Sequence, residues 1–387
     1  MLPSRVYAEI NLDKAKQNMK NISEYVGEGT DVLAVVKADG YGHGAVRLAK
    51  AYSSIGIKYF GVATAEEAVS LRKSSVTGDI LILSYVFPDL FESVIENGII
   101  STVFDFETAL LLNEKAEQLG KKARAHIKLD TGMGRIGFIP SAESLETIKK
   151  ISQLDSISLE GIYSHLACAD EKDLSSAKKQ IEIFDSFCRE LENEGISLPV
   201  RHIRNSAGIM NFPDYKTKLV RSGIIAYGIY PSDEVDKTKL RVEPIMQLKS
   251  HISYVKTVEK GFTVSYGSTF VTNKNTVIAT VPVGYGDGYP RALSNKGYVL
   301  VNGHKANIIG RICMDQFMID VTGIPVKRGD EVTLIGSDGK NEITVDDIAS
   351  LSGGFNYEII CDINDRVPRV YIENGKEVET LEYKVRS

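Results

Sequence analysis

The sequence has 387 residues, more than one ordinary hydrophobic core accommodates and typical of two domains. With a net charge of −5, the sequence shows no electrostatic footprint for nucleic acid, and 25% charged with 43% hydrophobic residues is typical of a globular protein in water. No apolar run approaches the roughly 20 residues that span a bilayer, and the first residues lack a signal-peptide pattern. We therefore expect a cytoplasmic protein that binds neither nucleic acid nor membrane.

Over the first two thirds of the chain, short β-branched runs alternate with amphipathic helical patterns. The predicted strands are residues 32–38, 58–64, 79–85, 100–105, 124–130, 159–165, 199–205 and 219–225. Eight strand–helix units in about 200 residues predict an α/β fold, a (β/α)8 TIM barrel. A doubly wound open sheet is the alternative, although it normally uses fewer strands.

After about residue 240 the pattern changes to short alternating strands, separated by turn signals such as Asn302-Gly303. This change predicts a barrel domain over residues 1–240 and a mostly-β C-terminal domain over residues 241–387. One helix is predicted there, at residues 344–353. The first ten or so residues also alternate, and they are candidates for pairing with the C-terminal domain. The four cysteines are scattered without a CxxC pair, so we expect neither a metal site nor a disulfide scaffold.

Polar residues gather at the predicted C-terminal ends of the barrel strands, where the active sites of such barrels lie. Lys37 ends the first strand, Lys128 and Arg135 end or follow the fifth, His165 ends the sixth and Arg221 lies on the eighth. A return of polarity at strand ends explains any one of these residues easily. It explains less well a group of cations and a histidine that converge on one rim.

The loops after strands seven and eight are the usual phosphate site of this fold. Ser206-Ala207-Gly208 is a small-residue turn into a helix, whose N-terminus offers backbone N–H groups, and Gly223-Ile224 can bring further donors close. A phosphate site opposite a reactive lysine indicates pyridoxal 5′-phosphate, whose aldehyde forms a Schiff base with a lysine.

Nine motifs, which cover nearly the whole chain in order, resemble alanine racemase. They are AVVKADGYGHG, HIKLDTGMGRIGF, YSHLACAD, RNSAG, VRSGIIAYGIYP, VSYGSTF, VPVGYGDGYPR, GRICMDQFMID and NYEIICDINDRVPR. The resemblance implies a pyridoxal-phosphate-dependent enzyme of fold-type III that interconverts L- and D-alanine and supplies D-alanine for bacterial peptidoglycan. It also implies a homodimer in which the barrel of one chain faces the β domain of the other.

The resemblance implies a role for each matching residue. Lys37 forms the Schiff base and acts as one base, and Tyr266 acts as the second base on the opposite face of the substrate. Free tyrosine has a pKa near 10, so the site must favour the phenolate of Tyr266. His165 links this tyrosine to Arg221, which faces the pyridine nitrogen, and Tyr41 packs near the cofactor.

Further residues match the substrate and cofactor sites. Arg135 and the backbone N–H of Met314 match the groups that hold the substrate carboxylate, and Lys128 matches a lysine that is often carbamylated and then holds Arg135. The residues matching the phosphate shell are Asn205, Ser206, Gly223, Ile224 and Tyr357. Those resembling the entrance are Asp170, Tyr285 and Arg291.

Three alternatives remain open. A pyridoxal-phosphate-dependent decarboxylase of the same architecture usually places an acidic residue, not an arginine, at the position of Arg221. A serine-preferring or broad-specificity racemase is nearer, although Tyr357 matches the bulky residue of an alanine pocket. A non-enzymatic single-barrel protein that binds the cofactor would end near residue 240 and lack Tyr266 and Met314. In the Lys37 loop, we expect the glycines to let the chain approach the cofactor and His43 to serve a structural role at a helix start.

Overall fold

The structure is a computed structural model that describes residues 5–382, which divide into two compact units. The barrel unit consists of Ala15–Gly40 and Ala45–Glu243. The β unit consists of the described residues up to Lys14, of Tyr41–Gly44, and of the described residues from Pro244 onward.

The short segment Tyr41–Gly44 belongs to the β unit, although it lies within the barrel domain predicted over residues 1–240. Two side chains of the β unit explain the difference. Arg369 donates from Nε to the carbonyl of Gly42 (3.0 Å), and the hydroxyl of Tyr371 donates to the carbonyl of His43 (3.1 Å). These bonds satisfy backbone carbonyls that are buried in the segment.

Eight parallel strands form the wall of the barrel unit. In chain order they are Asp31–Val35, Tyr59–Val62, Asp79–Ile82, Ser101–Val103, Ala123–Lys128, Ile157–Tyr163, Val200–His202 and Leu219–Ser222, and we number them one to eight. Each overlaps one of the eight predicted strands.

The eight strands close into a ring. Strand eight pairs with strand one, which continues through strands two and three, and strands four to seven pair in the same way. The two groups are joined by Ile100 N donating to the Ile80 carbonyl (2.8 Å) and by Arg221 N donating to the Arg204 carbonyl (2.9 Å). The predicted barrel is therefore confirmed, and the alternative of a doubly wound open sheet is wrong.

One helix, Leu12–Val26, precedes the first barrel strand, and the other helices of the barrel unit connect its strands, as the helical patterns predict. Their bounds are Leu12–Val26, Ala45–Ser53, Ala65–Lys73, Phe91–Glu96, Phe106–Gln118, Ala142–Ser152, Ser175–Asn193 and Ser206–Asn211, with 3-10 turns at Pro88–Leu90 and Ile224–Tyr227. Side-chain oxygens cap several N-termini: Thr64 forms a capping box with Glu67, and Asp105 and Ser141 each accept from the third residue after the cap.

The β unit is built mainly from short strands. They are Val6–Asn11, Met246–His251, Tyr254–Val258, Thr263–Val264, Phe270–Val271, Thr276–Val281, Tyr298–Val301, His304–Ile309, Phe317–Asp320, Glu331–Asp338, Asn341–Ile343, Arg369–Glu373 and Lys376–Leu381. The helix predicted at residues 344–353 forms as Val345–Ser352, and a second helix, Asn356–Asp362, was not predicted. The 3-10 turns are Tyr266–Ser268, Tyr285–Asp287 and Arg291–Leu293.

The strand nearest the start of the chain lies inside the large sheet of the β unit. Val6–Asn11 pairs antiparallel with Met246–His251 on one side and parallel with Arg369–Glu373 on the other. The Asn302-Gly303 signal is a two-residue hairpin turn with φ of 50° and 75°, which suits a type I′ turn. Within residues 5–382, no helix has both the length and the apolar character that a membrane span requires.

Arg124 joins three barrel strands near their N-terminal ends. Its guanidinium donates to both carboxylate oxygens of Glu160 (2.7 Å each) and to Asp79 (2.6 Å), and these bonds raise its pKa. That end of a barrel supports stability, whereas the opposite end carries chemistry.

We expect Arg124→Met to lower the free energy of unfolding by about 1–3 kcal/mol, because two partly buried carboxylates lose their charged donor. Thermal unfolding should show a melting temperature a few degrees lower. Lys149→Met is the matched control, since it breaks an exposed ion pair with Glu194 and should change little. Equal melting temperatures for the two variants would contradict the stabilising role of Arg124.

Candidate active site

Lys37 follows strand one and begins a turn of unusual conformation. Ala38, Asp39, Gly40 and Tyr41 all have positive φ, between 50° and 61°, which is left-handed backbone that L-residues with a Cβ avoid. Two carboxylates hold the turn. Glu67 accepts from Ala38 N (2.6 Å), and Asp39 accepts from Ala45 N (2.8 Å). Lys37, which is half-buried, thus begins a turn whose unfavourable backbone is stabilised by its surroundings.

The glycines after this turn permit close packing inside the β unit. A Cβ on Gly42 would lie 2.3 Å from the carbonyl oxygen of Ile360, and one on Gly44 would lie 1.8 Å from the hydroxyl of Tyr371. Both glycines have positive φ. His43 between them is buried, and its Nδ1 lies 2.7 Å from the Tyr41 carbonyl oxygen. His43 precedes the helix that begins at Ala45, which agrees with the structural role expected for it.

Arg221, on strand eight, is a buried guanidinium at the barrel rim. It donates to the carbonyls of Ser164 (2.7 Å), Ile203 (3.1 Å) and His202 (3.2 Å). It also lies 2.8 Å from Nδ1 of His202 and 3.2 Å from Nδ1 of His165. Burial lowers its pKa to about 10, so it remains a cation at neutral pH.

These contacts fix the protonation of two histidines. An arginine only donates, so Nδ1 of His165 and Nδ1 of His202 must both be acceptors, and each ring must carry its proton on Nε2. Burial and then the charge of Arg221 lower the pKa of both rings, which keeps them neutral. Nε2 of His202 can then donate to Nδ1 of His126 (3.1 Å), whose pKa burial lowers to about 3. The result is a directed chain from Arg221 through His202 to His126.

Tyr163 fills the barrel beside this chain. Its ring stacks on His202 with centroids 4.7 Å apart and an angle of 2° between the rings. Nζ of Lys128 and Cζ of Arg221 each lie 5.3 Å from its centroid, within range of a cation–π interaction. Its hydroxyl lies 2.8 Å from Oγ1 of Thr102. Tyr163 therefore supports both cations from inside the barrel.

His126, His202 and Tyr163 were not predicted as site residues. Their strands, ARAHIK, ISLEGIY and VRH, contain other polar residues as well, so polarity alone does not distinguish these three in the sequence.

Lys128 ends strand five, close to a tightly folded loop. The carboxylate of Asp130 accepts four backbone N–H bonds, from residues 132 to 135, at 2.8 to 3.1 Å. Burial alone would raise the pKa of Asp130, but these four donors outweigh it and lower the pKa. The loop thereby fixes the backbone of Arg135, whose side chain is exposed. Burial, then Arg221, lowers the pKa of Lys128 to about 7.

The loops after strands seven and eight meet through one hydrogen bond. Gly223 N donates to Oγ of Ser206 (3.0 Å), which joins the start of the 3-10 turn at Ile224 to the start of helix Ser206–Asn211. Asn205 caps that helix by accepting from Gly208 N (2.9 Å). The structure thus brings together four residues of the predicted phosphate shell, two from each loop.

Tyr357, the fifth residue of that shell, lies in the β unit on helix Asn356–Asp362. Its ring stacks on Phe355 with centroids 4.7 Å apart, and its centroid lies 6.2 Å from that of Tyr41, which is buried. Burial raises the pKa of Tyr41, so its hydroxyl stays neutral. The two tyrosines predicted near the cofactor therefore belong to one aromatic group.

The predicted second base and the substrate-binding methionine are exposed in the β unit. The exposed fraction is 70% for Tyr266 and 53% for Met314. Tyr285 N donates to the carbonyl of Cys313 (3.2 Å), and Gly286 N donates to that of Met314 (2.9 Å). These bonds bring the predicted entrance residue Tyr285 beside Met314.

The other two predicted entrance residues lie in different units. Arg291 accepts at its carbonyl from Oγ of Ser294 (2.5 Å), and the same Oγ accepts from Ile312 N (2.9 Å), which links Arg291 to the Met314 segment. Asp170 lies in the barrel unit, where its carbonyl accepts from Ser232 (2.5 Å). In the part of the chain that the structure describes, no three His, Cys, Asp or Glu side chains gather as metal ligands.

Two family models match this chain. That of the alanine racemase N-terminal domain covers residues 10–231, and that of the alanine racemase C-terminal domain covers residues 245–371. The chain belongs to the alanine racemase family. The resemblance carried by the nine sequence motifs is thereby confirmed over both domains of this alanine racemase homologue.

Individual members of the alanine racemase family match over nearly their full length. Alanine racemase 1 of Clostridium acetobutylicum is 46% identical over 379 residues, 98% of each chain. The alanine racemase structure from Clostridium difficile 630 has a TM-score of 0.95 at 42% identity and covers 100% of both chains. A structure from Bartonella henselae, described with covalently bound pyridoxal phosphate, has a TM-score of 0.84 at 30% identity, covering 96% of this chain and 100% of that one.

Lys128 makes stability depend on pH in a predictable direction. Its pKa is about 7 in the folded protein and near 10.4 in an unfolded chain. Between these values the unfolded state binds a proton that the folded state lacks, so the free energy of unfolding rises with pH. Protonation below about pH 7 removes this gain, because both states then carry the charge.

We expect the difference in unfolding free energy between wild type and Lys128→Met to grow in favour of wild type from about pH 7 to about pH 10. Urea denaturation in carbonate-free buffer measures it. Lys122→Met, which removes an exposed lysine of the same strand-five region, should give a flat difference. If the difference for Lys128→Met does not change with pH, the pKa of the Lys128 amine is not lowered in the folded protein.

Proposed function

We propose that this protein is an alanine racemase that interconverts L- and D-alanine with pyridoxal 5′-phosphate. The observation that carries the proposal is Arg221. Within residues 5–382 its hydrogen bonds go to carbonyl oxygens and imidazole nitrogens. Arg221, as a permanent donor, would leave the pyridine nitrogen of a bound cofactor unprotonated, and negative charge would then stay near the substrate Cα. This favours return of a proton to Cα, whereas a decarboxylase uses an acidic partner and a stronger electron sink.

The residues present fit the cofactor. The bond between Gly223 N and Ser206 Oγ draws together two chain segments whose first N–H groups lack helical acceptors, a donor set suited to a phosphate. Tyr41 and Tyr357 supply an aromatic wall, and Lys37 supplies an amine. Nζ of Lys37 would hold pyridoxal phosphate through its aldehyde; once the substrate amine had taken the place of this lysine, the cofactor would withdraw electrons from Cα and make the Cα proton acidic, and Nζ would be released to act as a base. The proposed phosphate shell is Asn205, Ser206, Gly223, Ile224 and Tyr357.

The substrate carboxylate is held by one side chain and one backbone group. Arg135 offers a guanidinium that can pair with both carboxylate oxygens, and its backbone is fixed by Asp130. Met314 offers its backbone N–H, and its carbonyl is fixed by Gly286 N. Arg135 and Met314 both lie in loops that are fixed by hydrogen bonds, so the orientation of the substrate Cα is set before proton transfer.

Two bases move the proton. Nζ of Lys37 removes or returns the Cα proton on one face, and Oη of Tyr266 does so on the other. Nδ1 of His165 accepts from Arg221, so its Nε2–H is free to donate to the phenolate oxygen of Tyr266. Arg221 would therefore act at two places, on the ring nitrogen of the bound cofactor and, through His165, on the tyrosine base.

We propose a homodimer in which each active site uses both chains. Tyr266 and Met314 are exposed on the β unit, although a catalytic phenol and a carboxylate ligand need a site closed to bulk water. Contact with the barrel rim of a partner supplies that closure. Lys37, His165 and Arg221 would then act with Tyr266 of the partner subunit.

Lys128 is proposed to carry a carbamate. An amine reacts with carbon dioxide in its neutral form, and a pKa near 7 gives a large neutral fraction at physiological pH. The carbamate would be an anion near two cations, Arg135 and Arg221, and would hold Arg135 by a charged hydrogen bond. A carbamate signal from 13C-bicarbonate that disappears in Lys128→Met supports this, and no adduct in wild type rules it out.

The entrance is proposed to admit small substrates. Tyr285 and Arg291 are both tied to the segment that carries Met314, and Asp170 belongs to the barrel side. Their side chains would narrow the entrance, so that only substrates with small side chains, such as alanine, would pass. Serine is the substrate that tests this limit, because it adds one hydroxyl to the same skeleton.

The function is tested on purified protein with added pyridoxal phosphate. We expect D-alanine to form from L-alanine in a coupled assay, and the visible absorbance of the cofactor to disappear with borohydride. Lys37→Ala should abolish both signals, and Lys50→Ala, which removes an exposed helix lysine, should leave both unchanged. A wild-type protein that cannot be loaded with the cofactor, or that is loaded and inactive, contradicts the proposal.

Shared sites predict complementation between two inactive variants. Lys37→Ala and Tyr266→Ala chains each lack one base, but a mixed dimer contains one site with both. At an equal mixing ratio the activity should rise to about a quarter of wild type, because half of the randomly formed dimers are mixed and each has one intact site. Subunit exchange is verified by tagged chains. Exchange without recovered activity argues against sites that are shared between chains.

A further inference from the structure

Ser265, the residue immediately before Tyr266, has a backbone conformation that side chains with a Cβ avoid. Its φ is 67° and its ψ is −179°, a region occupied almost entirely by glycine. The strain continues through the turn, because Ser268 also has a positive φ of 48°. Strain of this kind persists where the surrounding structure imposes it, and it is common beside functional groups.

The side chain of Ser265 makes the bond that holds this conformation. Its Oγ donates to the carbonyl of Arg311 (2.6 Å) and lies 3.6 Å from Sγ of Cys313. The backbones also meet closely, since a Cβ on Gly310 would lie 2.7 Å from Cβ of Ser265. The Tyr266 turn is thereby attached to the segment that leads to Met314.

The other end of the turn is attached to the same segment. Asn295 accepts from Gly310 N (2.6 Å) and donates to Oγ1 of Thr269 (3.1 Å). Val264, on the N-terminal side, is buried in a small core with Ile309. The backbone around Tyr266 is thus fixed on both sides, while the Tyr266 side chain itself is 70% exposed and has little packing of its own.

We infer that Ser265 is a positioning residue for the reaction: its strained backbone and its bond to Arg311 set the direction of the Tyr266 phenol relative to the backbone N–H of Met314. This inference rests on the proposed function, in which Tyr266 is a base and Met314 binds the carboxylate. An exposed phenol takes its position from the backbone, so a turn that relaxes moves Oη away from the Cα proton. Misplacement by about 1 Å costs on the order of a hundredfold in rate.

Two substitutions separate the hydrogen bond of Ser265 from its strained backbone. Ser265→Ala removes the bond to Arg311 and keeps the unfavourable backbone, and Ser265→Gly removes the bond and also permits the backbone to relax or to move. We expect racemisation by the loaded dimer to fall by about 10- to 100-fold in both variants. Cofactor absorbance should be unchanged, because the residues proposed to hold the cofactor are untouched. Ser268→Ala, in the same turn, is the matched control and should keep wild-type rates.

Exchange of the Cα proton with solvent deuterium separates positioning from a general loss of structure. Tyr266→Phe identifies the enantiomer whose exchange depends on the tyrosine. For that enantiomer the Ser265 variants should exchange about 10- to 100-fold more slowly than wild type, while exchange of the other enantiomer, served by Lys37, stays within about twofold.

Wild-type exchange in both Ser265 variants, with Tyr266→Phe impaired, overturns the inference and leaves the proposed function intact. An equal loss for both enantiomers overturns it as well, because a positioning residue for one base acts on one face. If Tyr266→Phe itself exchanges both enantiomers at wild-type rates, the role of Tyr266 in the proposed function fails instead.

Discussion

The buried charge of Arg221 is the constraint on which the rest of the barrel rim depends. A guanidinium removed from water is stable only when its N–H groups have acceptors, and here three carbonyls and two imidazoles supply them. Those imidazoles must be neutral, which fixes the tautomers of His165 and His202. The same charge helps to lower the pKa of Lys128. A rim with this excess of positive charge suits ligands that bring a phosphate and a carboxylate.

Each of the two proposed bases lies next to residues whose side chains disfavour the backbone conformation that they adopt. Lys37 opens a left-handed turn that includes Ala38 and Asp39, and Tyr266 follows Ser265. Each such residue costs about 1–3 kcal/mol of stability. In both places a hydrogen bond to a neighbouring segment holds the conformation. Ala38 N donates to the Glu67 side chain in the barrel unit, and Oγ of Ser265 donates to the Arg311 carbonyl in the β unit. Rigid placement of both bases is consistent with proton transfer that requires opposite faces of one carbon.

The strand–helix alternation was sufficient to predict the barrel, because period-2 and period-3.6 patterns and glycine stops are local signals. Polar residues at strand ends likewise predicted the rim with Lys37, Lys128 and Arg221. Other features depend on non-local contacts and were missed. The assignment of Tyr41–Gly44 to the β unit follows from bonds made by Arg369 and Tyr371, more than three hundred residues away. The tautomers of the histidines follow only from what their rings contact.

The position of strand Val6–Asn11 has a consequence for how the chain folds during synthesis. Its parallel partner, Arg369–Glu373, is made after the whole barrel sequence, so the sheet of the β unit cannot be completed until residue 373 has been synthesised. The barrel strands, in contrast, pair mostly with neighbours along the chain, and their segment can fold as it emerges. During that interval the early strand has an unpaired edge. A slow final stage of folding, governed by the most distant pairing in the sequence, is thus inherent in the topology.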